Sequence, residues 1–183
     1  MSNSLAVSKY FLHLAYIENA GETFSAHRMQ ELLFMTQGFS FVINDKPLFE
    51  ENFIFLSNKK IAILSNFCHY FEKYGANGIN FKELSNFNID EVNIKSVDVI
   101  QKTYVFYNLL DNYNQIRSII YNKFFQFNNS KIDVPINNHD IKIFFTEILP
   151  NIIKKENKEY QKSLLRKYLK NPNKCYHIFY KDI

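Results

Sequence analysis

The sequence predicts a mainly α protein: a single helical domain of six to seven helices with at most a small β element, plus a basic C-terminal helix. Three observations carry this prediction. The chain has 183 residues, a length that suits one domain. It contains only four Gly and four Pro, which disfavours a turn-rich β-sandwich and favours helices joined by short loops. Apolar residues recur at three- and four-residue spacing along much of the chain, as they do on one face of a helix.

The first fifty residues predict two helices and a turn. Apolar spacing places a first helix before Gly21, with the stripe Val7, Tyr10, Phe11, Leu14 and Ile17. Ser25 is a suitable N-cap for a second helix, and residues 44–47 have the composition of a turn. The interior face of the second helix is predicted from apolar residues that flank the small Gly38: Met29, Leu32, Leu33, Phe34 and Val42.

The rest of the chain continues this pattern with interruptions. Residues 53–56 are apolar, and their type is open between strand and helix. A third helix is predicted from Ile61, Leu64, Cys68 and Phe71. Residues 75–90 are loop-like, with short strand pieces. Later apolar stripes predict helices around 97–107, 116–127 and 141–148, the last ending at Pro150, and a final helix around 160–168.

Charge is unevenly distributed and predicts two segments, 1–150 and 151–183, the second packed on the first. Residues 1–150 hold 13 Lys or Arg and 15 Asp or Glu, a balance of −2. Residues 151–183 hold 9 and 3, a balance of +6. Four cations lie four residues apart and form a stripe on the predicted last helix: Lys158, Lys162, Arg166 and Lys170. This stripe is either a solvated face or an electrostatic contact with nucleic acid, an acidic protein surface or a membrane face.

The sequence lacks the common signatures of catalysis. It has no glycine-rich phosphate loop, nucleophile elbow, two-histidine zinc helix or Cys-x-x-Cys pair. Cys68-His69 and Cys175-x-His177 could supply zinc ligands, but neighbours on a helix point about 100° apart, so Cys68 and His69 would chelate poorly. We therefore expect no enzyme activity, no metal and no cofactor.

The sequence also bears on where the protein is located and on whether its aromatic residues stack on nucleic-acid bases. The start of the chain shows no secretory signal, and no apolar run is long enough to span a membrane. A cytoplasmic protein is expected. Phe, Tyr, Asn, Ile and Lys make up 94 of the 183 residues, and all five are read from codons rich in A and T. The aromatic content is therefore not evidence for nucleic-acid binding.

One segment resembles a known family. The run Phe24-Ser25-Ala26-His27-Arg28-Met29-Gln30-Glu31-Leu32-Leu33-Phe34-Met35-Thr36-Gln37-Gly38-Phe39 resembles the signature helix of the Panacea domain, the SocA-like antitoxin family. Lys46-Pro47-Leu48-Phe49 looks like the turn that follows it there. The resemblance spans roughly residues 5–150, and about 30 residues carry it with specificity. It implies a mainly helical domain that binds a partner toxin directly, without catalysis.

Three departures from the family pattern stand out. Glu31 occupies a position that is usually Lys, and Phe34 one that is usually Tyr. The stretch that would carry a Trp and a Gly-Pro-Val step contains Lys59 and Lys60 instead, and the chain has no Trp. If that step shapes the partner surface, this chain keeps the fold and has changed its partner.

The leading hypothesis is therefore a non-enzymatic protein-binding module that neutralises a partner toxin encoded by a neighbouring gene. The predicted contact residues are the members of the second helix expected to be exposed, together with the lysines of the altered step: His27, Arg28, Glu31, Lys59 and Lys60. The alternatives are a repurposed phage or host-directed effector that binds a different protein, and nucleic-acid binding through the basic C-terminal helix.

Overall fold

The computed structural model describes residues 3–17, 25–56, 61–64, 70–74, 77–84, 87–109, 118–128, 134–148 and 150–151. These residues are mainly helical, with five α-helices and one two-stranded sheet. The predicted helical class with a small β element is confirmed. The predicted six to seven helices are not, and the basic C-terminal helix with its stripe lies outside the described residues.

The helix α2, Ala26–Asn44, is the buried centre of the fold. Its predicted N-cap is confirmed, since the Ser25 side chain accepts a hydrogen bond from the Arg28 N–H at 3.2 Å. The helix ends where Asp45 adopts a left-handed conformation with φ 56°, and its N–H donates to the Phe41 carbonyl. The predicted core residues of this helix are all fully buried: Met29, Leu32, Leu33 and Phe34.

One predicted interior residue of α2 is wrong. Val42 is 51% exposed. It lies in the last turn, where the helix extends past the core towards the turn at Asp45. The apolar spacing continues there, but the described part of the domain leaves this side chain exposed.

The helix α1, Ser4–Ile17, packs beside α2 and beside α3, Ile94–Leu109. Its predicted stripe is buried at Val7, Tyr10, Phe11 and Leu14. The last member, Ile17, is 55% exposed, so the stripe ends one turn earlier than predicted. The Tyr10 hydroxyl accepts a hydrogen bond from the Gln101 amide at 2.8 Å, which ties α1 to the helix α3.

Strands β1, Phe53–Leu56, and β2, Ile61–Leu64, form an antiparallel pair. The register sets Phe53 opposite Leu64 and Leu56 opposite Ile61. The predicted third helix through Ile61 and Leu64 is therefore wrong at its start. A short apolar run fits the periodicity of a helix and that of a strand equally well, and here the pairing with β1 makes it a strand. Residues 65–69, which the predicted helix also includes, lie outside the described part.

Two buried amides of α2 attach the neighbouring backbone to the helix. The Gln30 side chain accepts from the Leu64 N–H at 2.9 Å and donates to the Leu64 carbonyl at 3.4 Å. Two helical turns later, Gln37 Oε1 accepts hydrogen bonds from the N–H groups of Leu48 and Phe49 at 2.8 and 3.0 Å. These bonds satisfy backbone groups that burial would otherwise leave unpaired.

Three further helices complete the core. They are α3, Ile94–Leu109, α4, Lys123–Phe127, which follows a π-helical turn at Ser118–Asn122, and α5, Asn138–Ile143, which continues into a π-helical turn at Phe144–Ile148. They confirm the later helical stripes over the residues described. Pro150 and Asn151 also have helical backbone, so helical conformation does not stop at Pro150 as predicted.

The helix α2 and the turn after α5 meet at very close range around Gly38. A Cβ added to Gly38 would lie 2.3 Å from ring atoms of Phe145. Phe34, one turn earlier on α2, contacts the rings of Phe53, Phe124 and Phe145 at centroid distances of 5.2 to 5.6 Å. The absence of a side chain at Gly38 thus lets an aromatic layer close on the central helix.

Candidate interaction site at the start of the central helix

The end of α1, the start of α2 and the segment 77–84 meet at one end of the domain, which we call the hairpin end. Two contacts establish this arrangement. Ser25 and Gly78 form an isolated antiparallel bridge, and the rings of Tyr16 and Phe81 lie edge-to-face with their centroids 5.5 Å apart. Phe81 begins a short 3-10 helix, Phe81–Leu84, that packs along α1.

The hairpin end exposes large apolar side chains. Tyr16 is 59% exposed, and Ile17 beside it is 55% exposed, whereas the preceding members of the apolar stripe on α1 are buried. Phe81 is partly buried against Tyr16. An exposed tyrosine that packs on a partly buried phenylalanine, beside an exposed aliphatic side chain, has the composition of an interface anchor rather than of a scattered surface residue.

The predicted contact residues His27 and Glu31 pair with each other. His27 Nε2 lies 3.3 Å from Glu31 Oε1, one helical turn away. The His27 side chain remains 36% exposed, so it is available at the surface. A protonated imidazole at this distance forms an ion pair with the carboxylate.

Glu31 is not exposed as predicted. The residue is 1% exposed, because it lies in the second turn of α2, where the helix has already entered the core. A buried carboxylate is costly without partners, and His27 supplies one of them. Glu31 therefore positions His27 from beneath and does not itself offer a contact surface.

The third predicted residue, Arg28, turns towards α3. Its guanidinium carbon lies 5.0 Å from the centroid of the Tyr107 ring, within the range of a cation–π interaction. Tyr107 is buried, and Arg28 is partly buried. The stacking fixes the start of α2 against α3 and leaves only part of the Arg28 side chain at the surface.

A second cluster at the hairpin end was not predicted. Three donors surround the Glu83 carboxylate: Lys73 Nζ at 2.7 Å and the Tyr74 hydroxyl at 2.5 Å on Oε1, and the Tyr70 hydroxyl at 2.8 Å on Oε2. The Lys73 ammonium also lies 5.4 Å from the centroid of the Tyr70 ring and 5.1 Å from that of Tyr74. We call Tyr70, Lys73, Tyr74 and Glu83 the Glu83 cluster.

These contacts fix the protonation states of the cluster. The hydrogen bonds from Lys73 and Tyr74 lower the pKa of Glu83 to about 2. The same carboxylate raises the pKa of Tyr70 and of Tyr74, because each hydroxyl donates its proton to an anion. The pKa of Lys73 is raised as well, chiefly by its hydrogen bond to Glu83. At neutral pH the cluster therefore holds one carboxylate, one ammonium and two neutral phenols.

A sequence signal for part of this cluster exists. Tyr70, Lys73 and Tyr74 have the i, i+3, i+4 spacing that places side chains on one face of a helical turn. Residues 70–74 are helical in the structure. Nothing in the sequence indicates that Glu83, in a region predicted as a loop, folds back onto that face.

The remaining predicted site residues lie outside the described residues. Lys59 and Lys60 belong to the segment 57–60, and the cationic stripe lies beyond residue 151. Within the ranges that the structure describes, no group of three or more His, Cys, Asp or Glu residues could hold a metal ion. None of the helices in those ranges is long and apolar enough to cross a membrane.

We compared this chain with family models, curated proteins and solved structures. No family model, no curated protein and no solved structure matches this chain.

Proposed function

We propose that this chain is a non-enzymatic protein-binding module whose partner contacts the hairpin end. The observation that carries the proposal is the exposure of Tyr16 and Ile17 beside Phe81, at the end of a helix that is otherwise buried on its apolar face. Tyrosine is among the side chains that dominate interface energetics. Covering such a surface removes apolar area from water and so favours association.

The charged groups around this surface support recognition rather than catalysis. The His27 imidazole faces Glu31, and the Arg28 guanidinium stacks on Tyr107. Each of these contacts holds a side chain in one place. A surface ordered before binding loses less conformational entropy on association than a flexible one.

We further propose that the partner is a toxin encoded by a neighbouring gene. This finer proposal rests on the resemblance of residues 24–49 to the SocA-like antitoxins. The apolar residues that carry the resemblance, among them Leu32, Leu33 and Phe34, are fully buried and specify the scaffold. Partner choice then depends on exposed residues such as Tyr16 and His27, and on the altered step around Lys59 and Lys60.

The test is co-expression with the product of the neighbouring gene, with growth and co-purification as readouts. Tyr16→Ser should weaken the complex by roughly 30-fold or more, the effect of losing one hot-spot residue. Val42→Ser is the matched control, because Val42 has similar exposure and lies about 24 Å from the start of α2 along the helix. A harmless gene product, the absence of a complex, or equal effects of the two substitutions would contradict the proposal.

Two other functions remain as candidates. A repurposed effector of the same fold would retain the hairpin end as its contact surface but bind a different protein; pull-downs with and without residues 151–183 would show whether the basic segment selects that protein. Nucleic-acid binding is favoured only by the +6 balance of residues 151–183. It predicts an affinity that falls steeply with salt and with replacement of Lys158, Lys162, Arg166 and Lys170 by Gln.

A further inference from the structure

The Glu83 cluster has the parts of a cation-recognition site. A carboxylate and two aromatic rings face one ammonium group, which lies 2.7 Å from Glu83 Oε1 and 5.1 and 5.4 Å from the two ring centroids. Carboxylates and tyrosine faces together are the groups with which proteins bind alkylammonium and guanidinium ions. In the free chain the bound cation is the chain's own Lys73.

The cluster keeps its charge across the physiological range. Because the pKa of Glu83 is about 2, the carboxylate is ionised at neutral pH. Both tyrosine hydroxyls donate to it and stay neutral, since their pKa values are raised. Without Lys73 the remaining three side chains would carry a single negative charge and would attract a cation.

Lys73 is the member of the cluster that can leave most easily. Its side chain is 57% exposed, whereas that of Glu83 is 13% exposed. Lysine reaches the site on a flexible four-carbon stem, and ion pairs with such an exposed partner contribute little to stability. The carboxylate of the site is thus largely buried, whereas its present ligand is exposed and sits on a flexible stem.

The position of the cluster favours a cationic group from a partner. Glu83 lies on the 3-10 helix Phe81–Leu84, and the first residue of that helix, Phe81, contacts the exposed Tyr16. A protein docked on the hairpin end would therefore come close to the Glu83 carboxylate.

We propose that Tyr70, Tyr74 and Glu83 form a binding site for a lysine or arginine side chain of the protein partner, which takes the place of Lys73 on binding. The proposal rests on the proposed protein-binding function for the source of the cation. The site itself can be tested without the partner.

The first experiment measures cation binding to the full chain. The probes are Nα-acetyl-lysine amide, Nα-acetyl-arginine amide, tetramethylammonium and, as a neutral control, Nα-acetyl-glutamine amide; the ring resonances of Tyr70 and Tyr74 report binding by NMR. Lys73→Ala should bind the lysine and arginine probes about tenfold more tightly than the wild type if Lys73 occupies the site about nine-tenths of the time. Lys82→Ala, which changes an exposed neighbouring lysine, should behave as the wild type.

A second set of variants separates recognition from folding. Adding Glu83→Gln to Lys73→Ala should abolish binding of both probes, and adding Tyr74→Phe should only weaken it, because the ring face remains. Saturable binding to Lys73→Ala that Glu83→Gln does not change would overturn the site, as would no binding at all in a folded Lys73→Ala chain. Binding of tetramethylammonium alone would overturn the assignment to a lysine or arginine side chain.

The third measurement connects the site to the partner. Lys73→Ala should tighten the complex with the partner, and Glu83→Gln should weaken it, whereas Lys46→Ala, which changes an exposed lysine at the opposite end of α2, leaves it unchanged. If the lysine and arginine probes bind Lys73→Ala as expected but neither variant alters partner affinity, the partner does not supply the cation and this inference fails, even if Tyr16→Ser still weakens the complex. If Tyr16→Ser has no effect while the probes bind, it is the proposed contact surface that fails.

Discussion

The contact between Gly38 and Phe145 gives a prediction whose sign tests the packing of the core. In an ordinary helix, replacing Gly by Ala stabilises the fold by about 1 kcal/mol. At Gly38 the added Cβ would lie 2.3 Å from the Phe145 ring, whereas carbon atoms pack at about 3.5–4.0 Å. The ring would therefore have to move by more than about 1 Å.

That movement is opposed by the rings around Phe145. Phe34, Phe39 and Phe144 lie at centroid distances of 5.6, 6.3 and 5.4 Å from it, and Phe145 is buried. Overpacking of a filled core costs about 1–3 kcal/mol, and this overlap belongs at the upper end. After the gain in helix propensity of about 1 kcal/mol, Gly38→Ala should lower the free energy of unfolding by about 2 kcal/mol.

Urea denaturation of the full chain measures this change as a shift of the midpoint at constant slope. A double-mutant cycle with Phe145→Leu identifies the cause, because the smaller side chain should relieve most of the cost of Gly38→Ala. An increase in stability for Gly38→Ala alone would refute the close approach. An equal cost in both backgrounds would show that Phe145 is not the obstructing group.

Three further predictions follow from single contacts. Gln37→Leu removes the acceptor of two buried N–H groups and should destabilise the fold by about 1–3 kcal/mol for each unpaired group. Urea denaturation measures this loss, with Gln126→Leu, at an exposed glutamine, as the control. Ser25→Ala removes the N-cap of α2 and should cost about 1 kcal/mol, measured in the same way, and an unchanged midpoint would contradict the cap. Folding lowers the pKa of Glu83 from 4.5 to about 2, so its ionised form stabilises the fold above pH 4.5, and this contribution is lost as the pH falls towards 2. The stability difference between wild type and Glu83→Gln should shrink over that interval, and a constant difference would exclude the ionised network.

The central helix is the part of the structure that the sequence predicts best. Its cap, its buried residues and its end at the turn 44–47 all depend on local chemistry: a serine hydroxyl at the first turn, apolar spacing, and a residue that tolerates positive φ at Asp45. Such signals lie within a few residues of the structure they specify. The predicted burial of Val42 is wrong, because apolar spacing along the helix does not reveal where the elements packed against the helix end.

The features that the sequence does not predict depend on contacts between distant segments. Ile61 and Leu64 fit a helix or a strand equally well, and only pairing with Phe53–Leu56 decides between them. The exposure of Glu31 depends on how deeply α2 enters the core. The Glu83 cluster depends on a loop that brings a carboxylate back onto residues nine to thirteen positions earlier. Whether His27 and Arg28 contact a partner stays a prediction.

The two glutamines of α2 have a consequence for how the molecule opens. Gln30 holds the backbone of Leu64, and Gln37 holds that of Leu48 and Phe49. The N–H of the last residue of strand β2 and two N–H groups of an irregular segment are thus bound by side chains of the helix. Their hydrogen exchange should proceed through the same cooperative opening that releases α2, so helix, strand and turn would unfold as one unit rather than fray separately.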